Sequence, residues 1–296
     1  MFASHTHLPQ IARMRRVQDG TMTVPSISLN DGTSIPQLGL GTWPLDDAEV
    51  SDVIQTAAGL GYRHIDTAAK YRNERGVGAG IAATSLARDD LFVTTKLDGA
   101  FQGDDRAIAG LEGSLDRLGL DHVDLLLIHW PLPARGEFVS TWRTFIELRD
   151  RGLTRSIGVS NFKPDHLSTL IAETGVVPAV NQIQLNPFVD RTEERAANAT
   201  HGIVTESWSP IGGDGASVLE SPVVLDIAAA TGKTPGQVVL RWHVQQGLVA
   251  IPKSRTASRL ADNIAIFDFE LTDAQLASIS DLAQSGLGVD SDVMGH

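Results

Sequence analysis

The sequence predicts an α/β protein of the (β/α)8 class, a TIM barrel with an N-terminal β-hairpin and extra helices after its last strand. Three observations carry this. Short runs rich in Val, Ile and Leu alternate with helix-length amphipathic segments from Pro36 to Leu282. Runs so short and so apolar fit parallel strands buried on both faces. Three of them end on one polar residue, Asp66, Lys96 and His129. A chain of 296 residues is also the right size for eight such units.

The elements follow in order. Ser26–Leu29 alternates into Asn30-Asp31-Gly32, a hairpin turn signal, and returns through Thr33–Ile35. A first barrel strand near Gln37–Gly41 leads to a helix over Asp47–Leu60. The second strand ends at Asp66, with a helix over Glu74–Ala83. The third ends at Lys96, with a helix over Asp104–Leu118, and the fourth at His129, with a helix over Phe138–Arg151. Strands five to seven are Ser156–Ser160, Ala179–Gln184 and Ile203–Trp208. Helices over Pro164–Thr174 and Thr192–His201 separate them, and Pro222–Ala230 and Pro235–Gln246 follow. The eighth strand is Leu248–Pro252, and Ala257–Asn263 and Asp273–Leu282 are helical. No Gly/Ser- or Pro-rich linker divides residues 23–296, which are expected to form one domain. Residues 1–22, with three arginines and no sustained apolar run, are expected to be a disordered extension, with Met22 as an alternative start.

Composition narrows the function. A net charge of −12 argues against nucleic acid or an anionic membrane as partner, and no apolar run approaches the roughly 18 residues of a span. There is no cysteine, hence no disulfide and no thiolate metal site. The nine histidines show no H-x3-H pairing, so no metal is implied. A cytoplasmic monomer acting on a small molecule is expected.

Asp66, Tyr71 five residues later, Lys96 and His129 would meet at one mouth of the barrel, where such folds place their chemistry. A phenol is a poor acid at neutral pH; a nearby ammonium stabilises its conjugate base and makes it a better proton donor. Lys96 would be that cation, held by Asp66, with the His129 imidazole beside them. Taken singly, Asp66 also reads as a helix cap, Tyr71 as a half-buried aromatic, Lys96 as a solvated strand end and His129 as a satisfied core histidine.

The stretch Gly61-Tyr62-Arg63-His64-Ile65-Asp66-Thr67-Ala68, with Tyr71 and Asn73-Glu74, resembles the aldo-keto reductase signature around its catalytic Asp and Tyr. Leu125–Pro131, Ile157–Phe162, Val180–Pro187 and Ile251–Ser254 resemble later landmarks of that family in the right order. The branch most resembled is the bacterial 2,5-diketo-D-gluconate reductase-like group. The resemblance implies NADPH-dependent reduction of aldehydes and ketones, with Tyr71 as proton donor.

No G-x-G-x-x-G follows a strand, and Gly76-Val77-Gly78-Ala79-Gly80 lies within the second helix, where it serves close packing. The resemblance instead implies NADPH extended across the barrel mouth. It would be held by Thr42, Trp43, Asp66, Ser160, Asn161 and Gln182, by Trp208 stacking on the nicotinamide, and by Ser209, Pro210, Ile211 and Gly212. Lys253, Ser254, Arg255, Arg259 and Asn263 would complete the site, with Lys253 and Arg259 on the 2′-phosphate. Substrate would lie among Trp43, Tyr71, His129 and Trp130.

Lys70 and Arg72 beside Tyr71, Asp98 in place of an aromatic, Gln184 and Asn186, and a short tail without aromatics depart from the family pattern. Asp98 and the short tail predict a pocket open on one side. Two other readings remain: a nicotinamide-binding accessory subunit with little turnover, and a lyase forming a Schiff base on Lys96.

Overall fold

The computed structural model describes residues 24–213, 217–284 and 286–295. The extension expected over 1–22, and Asp214 and Gly215 of the loop after the seventh strand, lie outside the described residues.

The hairpin forms as β1 (Ser26–Ser28) and β2 (Ser34–Pro36), paired antiparallel. Eight parallel strands follow, each bonded to the next in chain order. They are β3 (Leu40–Gly41), β4 (His64–Asp66), β5 (Phe92–Leu97), β6 (Val123–Ile128), β7 (Thr154–Ser160), β8 (Val180–Gln184), β9 (Val204–Trp208) and β10 (Val249–Ala250). A parallel bridge between Leu38 and Ala250 closes the circle. There Gly39 N donates to the Ala250 carbonyl at 2.9 Å and Ala250 N to that of Gln37 at 3.1 Å. The expected (β/α)8 barrel is therefore present, with shorter first and last strands than the sequence predicts.

Helices α1 (Asp47–Leu60), α2 (Glu74–Ala82), α3 (Asp104–Leu118), α4 (Phe138–Asp150), α5 (Pro164–Thr174), α6 (Thr192–His201), α7 (Pro222–Thr231), α8 (Pro235–Gln245), α9 (Ala257–Ile264) and α10 (Asp273–Ser280) surround the strands. Local chemistry sets many of their ends. Asp46 accepts from Glu49 N at 2.8 Å, and Glu49 reaches back to Asp46 N, so two orphan donors of α1 are satisfied. Gly61, at φ 105°, then ends that helix in the left-handed region. The glycines of α2 are packing devices, as expected. A Cβ at Gly76 would lie 2.2 Å from the Asp47 carbonyl oxygen, and one at Gly78 would lie 2.2 Å from that of Leu118.

The period of two along each strand decides what faces the barrel interior. On β6, Leu125 and Leu127 pack inside with Ile35 and Leu29 of the hairpin, while Leu126 and Ile128 face the helices. The hairpin thus plugs the amino-terminal end with apolar side chains, leaving the opposite end for polar ones. His129, two residues beyond Leu127, continues the inward row.

Candidate active site at the carboxyl ends of the strands

The same alternation puts His64 and Asp66 of β4, Thr94 and Lys96 of β5, Gln182 of β8 and Glu206 of β9 in the upper barrel, all fully buried or nearly so. Lys96 Nζ donates to Asp66 Oδ1 at 2.5 Å, to the Thr67 carbonyl at 3.1 Å and to the Tyr71 hydroxyl at 3.2 Å. A 3-10 turn over Ala69–Tyr71 brings the phenol back over β4. Its ring meets that of His129 edge-on, with centroids 5.7 Å apart. The four residues expected to converge do so. They are not solvent-facing strand ends, however: Asp66, Lys96 and His129 are buried beneath the mouth, because each belongs to an inward row.

Burial disfavours the Lys96 ammonium, but Asp66 and Tyr71 more than offset it and hold Lys96 well above its ordinary value. Burial raises the Asp66 carboxyl, a rise that Lys96 and Gln182 oppose. The pair is best described as ammonium and carboxylate in direct contact. A charged Lys96 is not a nucleophile, which removes the basis of the Schiff-base reading. Tyr71 departs from the simple expectation. Lys96 pulls its pKa down, yet burial is the larger effect, so the phenol stands above its usual value and keeps its proton at neutral pH.

The cofactor candidates divide into an inner and an outer set. Thr42 Oγ1 donates to the Asp66 carbonyl, and Ser160 Oγ to that of Gln182. Asn161, at φ 63°, donates to the His129 carbonyl and accepts from the Trp208 indole at 2.9 Å. Gln182 does not offer its amide N–H groups to the mouth. Nε2 donates to Asp66 Oδ2 at 2.8 Å and to Glu206 Oε2 at 2.9 Å. Beyond Trp208 the chain turns through Ser209, Pro210, Ile211 and Gly212, and His243 Nε2 holds the Pro210 carbonyl at 2.9 Å.

The outer set lies where α9 begins. Ser254 is buried and accepts from Thr256 N at 3.0 Å, Asn263 is buried, and Lys253, Arg255 and Arg259 are exposed. Arg255 contacts Glu49 at 3.4 Å. Among the described residues Lys253 and Arg259 have no carboxylate within 4.0 Å. Two uncommitted cations at a helix start, a half-buried indole at a strand end and a turn of backbone between them suit an elongated anionic dinucleotide.

The sequence profile of the Aldo/keto reductase family matches residues 37–284. The chain belongs to the aldo/keto reductase family. It is similar to an aldo-keto reductase of Mycolicibacterium smegmatis, with 51% identity over 258 residues, 87% of this chain and 93% of the relative. It is 48% identical over 272 residues to the methylglyoxal reductase DkgA of Escherichia coli, covering 91% and 98% of the two chains. A solved structure of a Gox0644 point mutant in complex with NADPH superposes with TM-score 0.87 and 40% identity, covering 92% of this chain and 99% of that one. The protein is accordingly an NADPH-dependent oxidoreductase that reduces carbonyl groups, which sets aside the accessory-subunit reading. Among the described residues no helix is long and apolar enough to cross a membrane.

If Lys253 and Arg259 carry the 2′-phosphate, replacing both with Ala weakens NADPH about 10- to 100-fold and leaves NADH little changed. Titration followed by Trp fluorescence checks this; equal losses for both cofactors would place the phosphate elsewhere.

Several site features were missed by sequence reasoning. Glu206 and His64 do not border the mouth and were not singled out, and Gln182 faces the carboxylates. The available signal was parity: Glu206 lies two residues before Trp208 and shares its face. The tail also differs from expectation. Gln184 Oε1 accepts from Val289 N, Arg191 donates to the Val289 carbonyl, and Lys163 contacts Asp290 and Asp292 at 2.5 Å each. A Cβ on Gly295 would lie 3.1 Å from the Trp130 side chain, so this side of the mouth is covered. Trp43, 59% exposed, marks the open side.

Proposed function

We propose that the reductase takes small dicarbonyls, keto sugars and similar hydroxylated carbonyl compounds, with Tyr71 as proton donor, acting as a single chain in the cytoplasm. The observation that carries the catalytic part is the Lys96 ammonium set between Asp66 and the Tyr71 hydroxyl. NADPH, when bound, supplies a hydride to the carbonyl carbon. The chain's own residues manage the proton. Tyr71 holds it at neutral pH and gives it to the oxygen as negative charge develops there, and Lys96 stabilises the phenolate left behind. Asp66 fixes Lys96, and His129, edge-on to Tyr71, orients the carbonyl oxygen. The protein so balances one carbonyl, one hydride and one proton to one alcohol. A cysteine-free chain suits a reducing compartment.

Substrate class rests on the walls of the mouth. Trp130 is 9% exposed beneath the tail, Trp43 stands out into solvent, and Lys70 pairs with Asp98 at 3.8 Å on the rim. That pairing offsets the positive charge that Lys70 would offer a carboxylated substrate. A mouth with one apolar wall and one wet, charged rim favours compact polar carbonyl compounds over large apolar ketones. The DkgA relative is described as a methylglyoxal reductase, which supports the same direction. NADPH oxidation with methylglyoxal and with a steroid ketone tests this. We expect kcat/KM to favour methylglyoxal by about 10-fold or more. Preference for the steroid would overturn the substrate reading and leave carbonyl reduction intact.

A further inference from the structure

Beneath the catalytic group lies a second buried acid to which the reaction assigns no part. Glu206 is fully buried in β9. Its Oε2 accepts from Gln182 Nε2 at 2.9 Å, and the same nitrogen donates to Asp66 Oδ2 at 2.8 Å. Both N–H bonds of one amide are therefore spent on two carboxyl groups, and Asp66 is gripped on opposite sides by Lys96 and Gln182. On the far side, Glu206 Oε1 faces His64 Nε2 at 3.7 Å, too long for a hydrogen bond, while that nitrogen sits 3.1 Å from Thr94 Oγ1.

Charge counting limits what this row can be. Two buried carboxyl groups share one buried lysine, and Lys96 is already committed to Asp66. An anionic Glu206 would be a second negative charge with no cation bonded to it, which is costly out of water. We infer that Glu206 is a positioning residue of the catalytic centre, kept as a neutral acid whose carbonyl oxygen holds Gln182 and, through it, the Asp66 carboxylate against Lys96. This rests on the assignment of Asp66, Lys96 and Tyr71 as the reacting group. The surroundings agree: burial, and then Asp66, push Glu206 up to about 8, while burial and Lys96 push His64 down to about 3. The ionisable groups facing Glu206 are His64 and Asp66 from β4, Lys96 from β5 and Tyr71 from the turn beyond β4. Adjacent β8 contributes the uncharged Gln182, and β10, Val249–Ala250, contributes none.

His64, Asp66 and Glu206 also bring their donor atoms within 4.8 Å of one another, an arrangement that could hold a metal ion. Lys96 already places a positive charge 2.5 Å from Asp66, which disfavours a second cation there.

The consequence for catalysis has a definite sign. Below about pH 8 Glu206 is neutral; above it, a new negative charge beside Asp66 raises both Lys96 and Tyr71 and makes the phenol a weaker donor. Turnover then falls on the alkaline side. Glu206→Gln keeps an uncharged oxygen for Gln182 but cannot ionise, so its alkaline fall in kcat moves up by about one pH unit or more. Glu206→Ala removes that oxygen and lowers kcat about 10- to 100-fold at every pH with KM little changed. Gln restores what Ala loses.

Stability gives a readout independent of turnover. The folded value of about 8 stands above the ordinary 4.5, so the contribution of Glu206 is complete below 4.5 and lost as pH rises to 8. Relative to Glu206→Gln, the wild-type unfolding equilibrium should therefore shift by about tenfold per pH unit across that window. Infrared difference spectra at neutral pH should show a buried carboxylic-acid band in the wild type that Glu206→Gln lacks. Coincident pH profiles, the absence of that band, or a stoichiometric metal lost on Glu206→Gln would each overturn the inference. If Tyr71→Phe remained fully active, the catalytic assignment would fail while the infrared band still reported on Glu206.

Discussion

Replacing Tyr71 with Phe is expected to lower kcat by about 10²- to 10⁴-fold, the usual worth of a positioned general acid. The loss should fall on turnover alone. Lys96 keeps Asp66 at 2.5 Å and the Thr67 carbonyl at 3.1 Å when the hydroxyl is gone, so the cluster stays assembled. The outer candidates for NADPH, around Lys253 and Arg259, lie at a different part of the barrel end. Stability should change by only about 1 kcal/mol, the net value of one hydrogen bond. Single-turnover kinetics with NADPH in excess, beside a fluorescence titration of the cofactor, separates the two effects. Turnover near the wild-type rate would remove Tyr71 from its role.

Lys96→Met should damage both catalysis and stability. The phenol loses the cation that draws its pKa down, leaving burial unopposed by any positive charge, so turnover should fall at least as far as in Tyr71→Phe. Asp66 is left buried with Gln182 as its remaining side-chain donor, and stripping one partner from a buried ion pair costs about 3–5 kcal/mol. The pH dependence has a fixed direction. Burial raises the Asp66 carboxyl, and without Lys96 that rise is larger. A carboxyl raised in the folded state contributes stability at low pH that is lost as pH rises through its folded value. The variant should therefore unfold more readily toward alkaline pH, and Asp66→Asn in the same chain should recover stability without recovering turnover. Denaturant titrations at several pH values check both statements.

What the sequence made legible was whatever is written locally. Asp47–Leu60, Asp104–Leu118, Pro164–Thr174 and Thr192–His201 are helices over the spans their patterns predict. Each of the four ends at a glycine with positive φ. The convergence of Asp66, Lys96 and His129 was legible too, because the ends of successive parallel strands must share one side of the sheet. The Gln182 contacts were not. Which carboxyl an inward amide meets depends on strands far away in sequence: Asp66 is 116 residues from Gln182. Glu206 escaped for the same reason, although its parity with Trp208 was there to be used. The tail was misjudged because its cover over Trp130 comes from backbone and from ion pairs reaching back to Lys163, not from bulky side chains. Asp98 reads as a missing wall in the sequence; in the fold it is the partner of Lys70.

The seam where β3 meets β10 sets the order of events during synthesis. Asp66, Tyr71 and Lys96 emerge from the ribosome early, but the first strand has no neighbour on its outer edge until Ala250 arrives to bond with Gln37 and Gly39. Gln182, which holds Asp66 on the side away from Lys96, and Glu206, to which Gln182 also donates, are also made late. A nascent chain shorter than this carries Lys96 and Tyr71 on an open sheet with an unpaired edge, the form of a partly made protein most prone to pair with another chain. Carbonyl-reducing activity should therefore appear only after release of the last strand, and stalled fragments ending before it should need chaperones rather than substrate.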